Sequence, residues 1–216
     1  TGSTIEEKER NELNAINEFV QIIADEQPDV IFGHNTENFD WDFIIVRCQQ
    51  YGIDFQQLSG QYLREGIYKQ KRPTTLKLGG EVETYYATVM KYHNIVDSLH
   101  AVRRAMATDS SFESAHLKYS TKYLHLNKHN RVYVPGNLIY STWLVTDPVY
   151  AFNNENGDWY KVTEEKPIQN GYQFVTGKYI VERYLLDDIW EADKVELTLH
   201  ETDFQLTKIM PTTFMR

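Results

Sequence analysis

Ile16, Phe19, Val20 and Ile23 recur at helical spacing among charged residues, which predicts an amphipathic helix over about residues 5–26. Pro28 and Asp29 punctuate it. Val30-Ile31-Phe32 reads as a short buried strand ending at Gly33, and a second helix follows Phe39, running through Ile44, Ile45 and Cys48 to a stop at Tyr51-Gly52. Helix, strand, loop and helix in that order predict α/β layers. Residues 60–80 read as an irregular excursion broken by Gly60, Gly66, Pro73 and Gly79-Gly80. Residues 81–97, rich in Val, Thr and Tyr, predict two strands ending at Ile95-Val96-Asp97. Helices are predicted over 98–107 and 113–126, the second capped by Ser111 or Ser114. From Val132 to Tyr179 strand formers dominate, and Asn153-Asn154-Glu155-Asn156-Gly157-Asp158 between two strand-like runs predicts a β-hairpin. A last helix runs from about Ile180 to Leu199. The chain shows no internal repeat and no low-complexity tract.

The 216 residues, 41% hydrophobic and 13% aromatic, suffice for one globular domain, or one domain with an insertion, and argue against disorder. With 22 basic and 31 acidic residues the formal charge is −9. That excludes a chain held to nucleic acid by a generally basic surface and leaves only local contact. Cys48, the sole cysteine, excludes an internal disulfide and a cysteine-built zinc site. No apolar run approaches the ~20 residues that cross a bilayer, so no membrane partner is expected. The polar amino end is unlike a signal peptide, and the opening Thr1-Gly2-Ser3-Thr4 without Met is expected of an excerpt from a longer chain.

Three stretches carry candidate chemistry. Pro28-Asp29-Val30-Ile31-Phe32-Gly33-His34-Asn35, followed by Asn38-Phe39-Asp40, brings a strand to a Gly turn and places an Asn and an Asp near the next helix start. Strand ends in α/β folds face an open crevice where ligands bind. An N-cap role would explain Asp40 alone, but not the whole string. Tyr184 and Asp188, four apart on a helix, share a face, where a phenol can orient water beside a cation-binding carboxylate. Arg64, Lys69, Lys71, Arg72 and Lys77 against Glu65 make a local basic strip that could meet phosphates, or a solvated loop.

The string Pro28 to Asp40 resembles the second motif of the 3′–5′ exonuclease domain of family B DNA polymerases. Tyr184-x-x-x-Asp188 resembles the third motif, in the Tyr-containing branch of the DEDD exonucleases. His93 to Leu99 with Arg103-Arg104, and Ser111 to Leu117, resemble the intervening strand, helix and Ser-x-x-Leu segment. The resemblance implies an α/β ribonuclease-H-like exonuclease fold and a pair of Mg²⁺ or Mn²⁺ ions at the scissile phosphate. It implies Asp188 as a metal ligand, Asp40 as support for the second metal, and Tyr184 as the residue orienting the attacking water. Asn35 and Phe39 would shape the pocket for the terminal nucleotides, with Arg64, Lys69, Lys71 and Arg72 on the substrate strand; Asp97 reads as structural. The partners implied are the single-stranded primer 3′ end and the remainder of a DNA-directed DNA polymerase, in the cytoplasm of a bacterial or phage-infected cell.

Two departures qualify the resemblance. The family's first motif, Asp-x-Glu on a strand, has no counterpart before Asp40. The fold is therefore expected to be incomplete at its amino end, the two-metal site to need a complete domain, and this chain alone to be inactive or nearly so. The second is a β-rich insertion bearing Trp143, Trp159, Tyr160 and Tyr172, whose aromatics could stack on bases or pack a small sheet of their own. The organisation expected is a partial exonuclease domain over 1–130, the insertion over 131–178, the third-motif helix over 179–200 and a connection toward an absent polymerase palm over 201–216. The rival from another class is a non-catalytic single-stranded-DNA-binding module on a nuclease-like scaffold.

Overall fold

The computed structural model describes residues 4–78 and 81–207 and divides the chain into two compact units, Thr1–Ala115 and His116–Arg216. The first unit opens with α1 (Ile5–Glu26), where Thr4 and Glu7 form a reciprocal capping box that satisfies two of the helix's orphan donors. Ile16, Val20 and Ile23 bury one stripe of it, as the spacing predicts, and Gln27 ends it in the left-handed region. β1 (Val30–Gly33) and α2 (Asp40–Gln50) follow where the sequence places them, but β1 is not the buried strand expected, since Val30 and Phe32 stand exposed; α3 (Phe55–Ser59) is capped by Asp54.

The predicted irregular excursion is different: it holds β2 (Ile67–Lys69) and β3 (Thr74–Leu78). The predicted two strands over 81–97 are three, β4 (Glu81–Tyr85), β5 (Thr88–Met90) and β6 (Asn94–Asp97). β3 pairs antiparallel with β4 from Thr74↔Tyr85 to Leu78↔Glu81; the Gly79-Gly80 breaker between them lies outside the described residues. β2 pairs antiparallel with β5, and β1 pairs parallel with β6 in the register Val30↔Asn94 to Gly33↔Asp97. α1, α2, α3, β2 and β5 close around a core of Ile16, Val20, Ile23, Trp41, Cys48, Phe55, Leu63, Ile67 and Met90. Each fully buried aliphatic chain there contributes roughly 1.5–3 kcal/mol of transfer free energy. α4 (Ser98–Thr108) completes the unit, capped by the Asp97 side chain.

His100 on α4 is buried against the Tyr85 ring, 4.4 Å between centroids. Burial lowers its pKa and outweighs the opposing pull of Asp97 and Glu37. The unfolded chain therefore takes up this proton at a higher pH than the folded one. The stability that follows is fully present above the ordinary value of 6.5 and is lost as pH falls below it toward the depressed folded value. Urea midpoints are expected to drop between about pH 7.5 and 5.5, and His100→Gln to flatten that drop. A drop equally steep in the variant would assign it to other groups.

The second unit begins with α5 (Leu117–Tyr123), shorter than the predicted 113–126 helix and started by His116 rather than a Ser cap. Ser111 instead bonds Asp109 in a turn, its hydroxyl at 2.6 Å, so the Ser-x-x-Leu stretch leads into the helix and is not part of it. A 3₁₀ turn (Gly136–Leu138) and α6 (Ile139–Trp143) precede the three-stranded antiparallel sheet β8-β7-β9, built from β7 (Tyr150–Phe152), β8 (Trp159–Lys161) and β9 (Gln173–Val175). The expected hairpin is present as β7–β8, while part of the predicted β-rich stretch is helical. Tyr150 meets Trp159 edge-on at 5.3 Å and Phe152 meets Tyr179 at 5.4 Å, so these aromatics pack the unit's own core with Val132, Val134, Val175, Ile180 and Tyr184. The hairpin loop is seated rather than free. Gly157 has φ 74° and a Cβ there would stand 2.1 Å from the Asn130 carbonyl, while the Asn130 side chain donates to Asn154 O. α7 (Gly177–Thr207) is longer than predicted at both ends; the rest of the expected connection, residues 208–216, lies outside the described residues. Among the described residues no helix is long and apolar enough to cross a membrane.

Candidate functional site

At the carboxyl end of β1 the chain enters a loop organised by one acid. Asp97, at the end of β6, is 5% exposed and accepts the backbone N–H of Asn35 (2.7 Å), Glu37 (3.0 Å) and Leu99 (3.0 Å). Asn35 sits at φ 67°, a left-handed conformation Asn tolerates. The His34 ring is held between Ser98 Oγ (3.0 Å) and the Ala115 carbonyl (2.9 Å). Asp97 is thus committed to backbone, and the loop that leads to Asp40 hangs from it.

Asp40 opens α2 on the surface. Partial desolvation raises its pKa, Coulomb repulsion from Asp97 adds to the rise, and its own backbone N–H opposes it. Phe39, 62% exposed, stacks in parallel with Phe43 one turn later, 6.3 Å between centroids. Of the basic strip, Lys69 is bound to Glu37, through both carbonyl and carboxylate, and to Asp42 (3.1 Å). Glu37 in turn is buried and accepts Thr88 N (2.9 Å) and Thr88 Oγ1 (2.6 Å). Arg64 lies over the Tyr92 ring and donates to its hydroxyl at 3.0 Å. Lys71 and Arg72 are exposed between β2 and β3.

In the second unit, Tyr184, Asp187, Asp188 and Glu191 occupy one face of α7, spaced three and four apart. Tyr184 is 8% exposed, and Lys118 on α5 donates to its hydroxyl oxygen at 2.9 Å with Nζ 4.9 Å from the ring centroid. The two adjacent acids face different surroundings. Asp187 is fully buried, ion-paired with Lys128, and accepts the Val132 N–H at 2.9 Å. Asp188 is 29% exposed and ion-paired with Arg131, whose 2%-exposed side chain also pairs with the buried Glu191. Burial alone would lower the pKa of Arg131, but Glu191 and Asp188 together hold it above its ordinary value.

The sequence reading therefore singled out Asp40, Tyr184 and Asp188 but missed Glu37, Lys118, Lys128, Arg131, Asp187 and Glu191. The acids were within reach, because 184, 187, 188 and 191 trace one helical face. The basic partners carry no comparable signal. Among the described residues no three His, Cys, Asp or Glu side chains gather into a group that could hold a metal ion. Asp188 already faces a guanidinium. On the described face of α7 the donors thus do not by themselves amount to a divalent-cation site.

A model of the DNA polymerase family B exonuclease domain matches residues 1–119, more than half of the 216-residue chain. The stretch contains the loop from Gly33 to Asp40 and the acid that holds it; Tyr184 and Asp188 lie beyond it. No curated protein matches the chain.

Proposed function

The chain belongs to the family B DNA polymerases through their exonuclease domain, and on that premise we propose that Asp40 in the first unit, and Tyr184 and Asp188 in the second, each serve the removal of nucleotides from the 3′ end of DNA during replication. The observation that carries this is the α7 face: a phenol and a partly exposed carboxylate one turn apart, the phenol fixed by a lysine. Because Lys118 donates to the Tyr184 oxygen, the phenol's own hydrogen points elsewhere and is available to a water or a phosphate oxygen. The Lys118 charge offsets negative charge brought to that edge. Exonuclease domains of this family are generally dependent on a divalent metal. The described donors on α7 do not complete such a site by themselves.

The finer reading follows the sequence resemblance. The fold is the ribonuclease-H-like one of the Tyr-containing branch. Asn35, Phe39, Arg64, Lys71 and Arg72 face the single-stranded primer end, and Lys69 supports that surface through Glu37 and Asp42. The rest of a polymerase chain is the partner, and Mg²⁺ or Mn²⁺ the metal. With no Asp-x-Glu before Asp40 and a guanidinium on Asp188, the chain alone hydrolyses DNA slowly or not at all.

The test is release of nucleotides from 5′-labelled single-stranded DNA with Mg²⁺ or Mn²⁺. Residues 1–216 are expected to trim little, and a polymerase extended at the amino end to trim readily. Asp188→Asn or Asp40→Asn in the longer protein is expected to cost on the order of a hundredfold or more, as for other groups acting on charge at a reacting centre. Metal-dependent trimming by residues 1–216 would overturn the inactivity. The second reading, a single-stranded-DNA-binding module, draws on the Arg131–Asp188 pair itself; metal-independent binding without trimming in either protein would favour it.

A further inference from the structure

We infer that Arg131 is a resident cation for Asp188, standing where a divalent ion would have to bind and holding that carboxylate against metal until it is displaced. The inference rests on the reading of Asp188 as the third-motif acid, and deepens it by naming what controls that acid. Arg131 Nη2 pairs with Asp188 and Nη1 with Glu191. Its Nε is buried with no hydrogen-bond partner among the described residues, so the two carboxylates, with the Asp187 carbonyl 3.5 Å from Nη1, orient the fork. Glu191 cannot follow a moving guanidinium outward: it is 1% exposed and also accepts Lys128 N (3.2 Å) and Thr121 Oγ1 (3.4 Å). The Tyr133 and Tyr184 rings flank the guanidinium, with centroids 4.9 and 5.9 Å from Cζ.

A buried arginine is costly without its partners, and Glu191 alone would serve to neutralise it. Asp188, 29% exposed, has no need of a buried counter-ion, because water can solvate it. The second arm of the fork therefore does something a purely structural ion pair would not require. It places a fixed positive charge on the one carboxylate of this face that solvent, and hence a hydrated metal, can reach. A dication approaching Asp188 meets a like charge that cannot move away without leaving Glu191, its other ion-pair partner among the described residues.

The probe is Mn²⁺ added to the full chain, read as paramagnetic broadening of the amide signals of residues 184–192. Arg131→Met alone would strand Glu191 and risks unfolding, so the informative variant is Arg131→Met with Glu191→Gln, which removes both charges while the amide still accepts Lys128 N and can donate to Thr121 Oγ1. Half-broadening in the double variant is expected at no more than about a tenth of the Mn²⁺ concentration needed by the parent chain, a shift in the direction set by the removed like charge. Adding Asp188→Asn should abolish the gain, and Arg131→Lys, which keeps the charge, should leave the parent behaviour in place. A folded double variant that broadens at the parent's Mn²⁺ concentration overturns the inference, as does a gain that survives Asp188→Asn. The readout is binding, not hydrolysis. A tightened Mn²⁺ site with no trimming in the longer polymerase would thus leave the inference standing and remove the exonuclease reading. Trimming with no Mn²⁺ shift would do the reverse.

Discussion

Asp187→Ala is expected to destabilise the second unit by about 3 kcal/mol, the lower end of the range for breaking a buried ion pair. The side chain is fully buried and serves Lys128 and the Val132 N–H, with Arg183 Nε 3.9 Å away. Lys128 is 23% exposed and can recover water when its partner is lost, which keeps the cost from the top of the range. The Val132 N–H cannot, because Val132 is 0% exposed and an orphaned buried donor retains its full desolvation penalty. Asp187→Asn, which keeps an acceptor for that N–H, is expected to cost less. Asp188→Ala is expected to cost only about 1 kcal/mol, since Arg131 keeps Glu191 and the carboxylate removed was partly solvated. Urea denaturation of the full chain followed by far-UV circular dichroism reads all three. With total stabilities of roughly 5–15 kcal/mol, the difference between the neighbours is large. Equal losses at 187 and 188 would refute the division of labour along α7.

Asp97→Ala carries the second large effect, about 3–5 kcal/mol. It removes the α4 cap on Leu99 N–H, worth ~1 kcal/mol, and two charge-assisted bonds to Asn35 and Glu37, worth ~1.5–3 kcal/mol each before the loop relaxes. Its position in the first unit makes the change specific. Amide hydrogen exchange at Asn35, Glu37 and Leu99 is expected to accelerate together, while the core amides of α1 slow-exchange as before relative to global unfolding. Asp97→Asn should fall between, because Oδ1 still accepts from Asn35 and Leu99 while an amide nitrogen now faces the Glu37 N–H. Loss of the Asp97 charge also removes a contribution that raises the pKa of Asp40, so that carboxyl should titrate lower in either variant. Unchanged exchange at 35 and 37 in the alanine variant would show that the loop does not hang from Asp97.

Much of the first unit could be read without coordinates. The spacing of Ile16, Val20 and Ile23 marks α1, and the apolar run before Gly33 marks β1, because both periods are local properties of the chain. β2 and β3 were not legible. They are three and five residues long, lie among Gly and Pro breakers, and exist through pairing with β5 and β4. The shorter α5 has the same lesson: a Ser that could have capped a helix instead closes a turn with Asp109.

At the candidate site the sequence by itself determined which residues share a face and in what order they come. Tyr184, Asp187, Asp188 and Glu191 line one side of a helix wherever that helix is placed, since 3.6 residues per turn is an intrinsic period. Tertiary structure decided what each became. Asp187 is buried on Lys128 and the Val132 N–H, and Asp188 is left at the surface against Arg131. The Arg131–Asp188 contact spans 57 positions, and Lys118 reaches Tyr184 across 66. No local period encodes such a pairing. It arises when α5 and the strand-rich segment pack on α7, because a carboxylate taken out of water must find a cation or a backbone N–H, and these side chains are the ones the packing delivers.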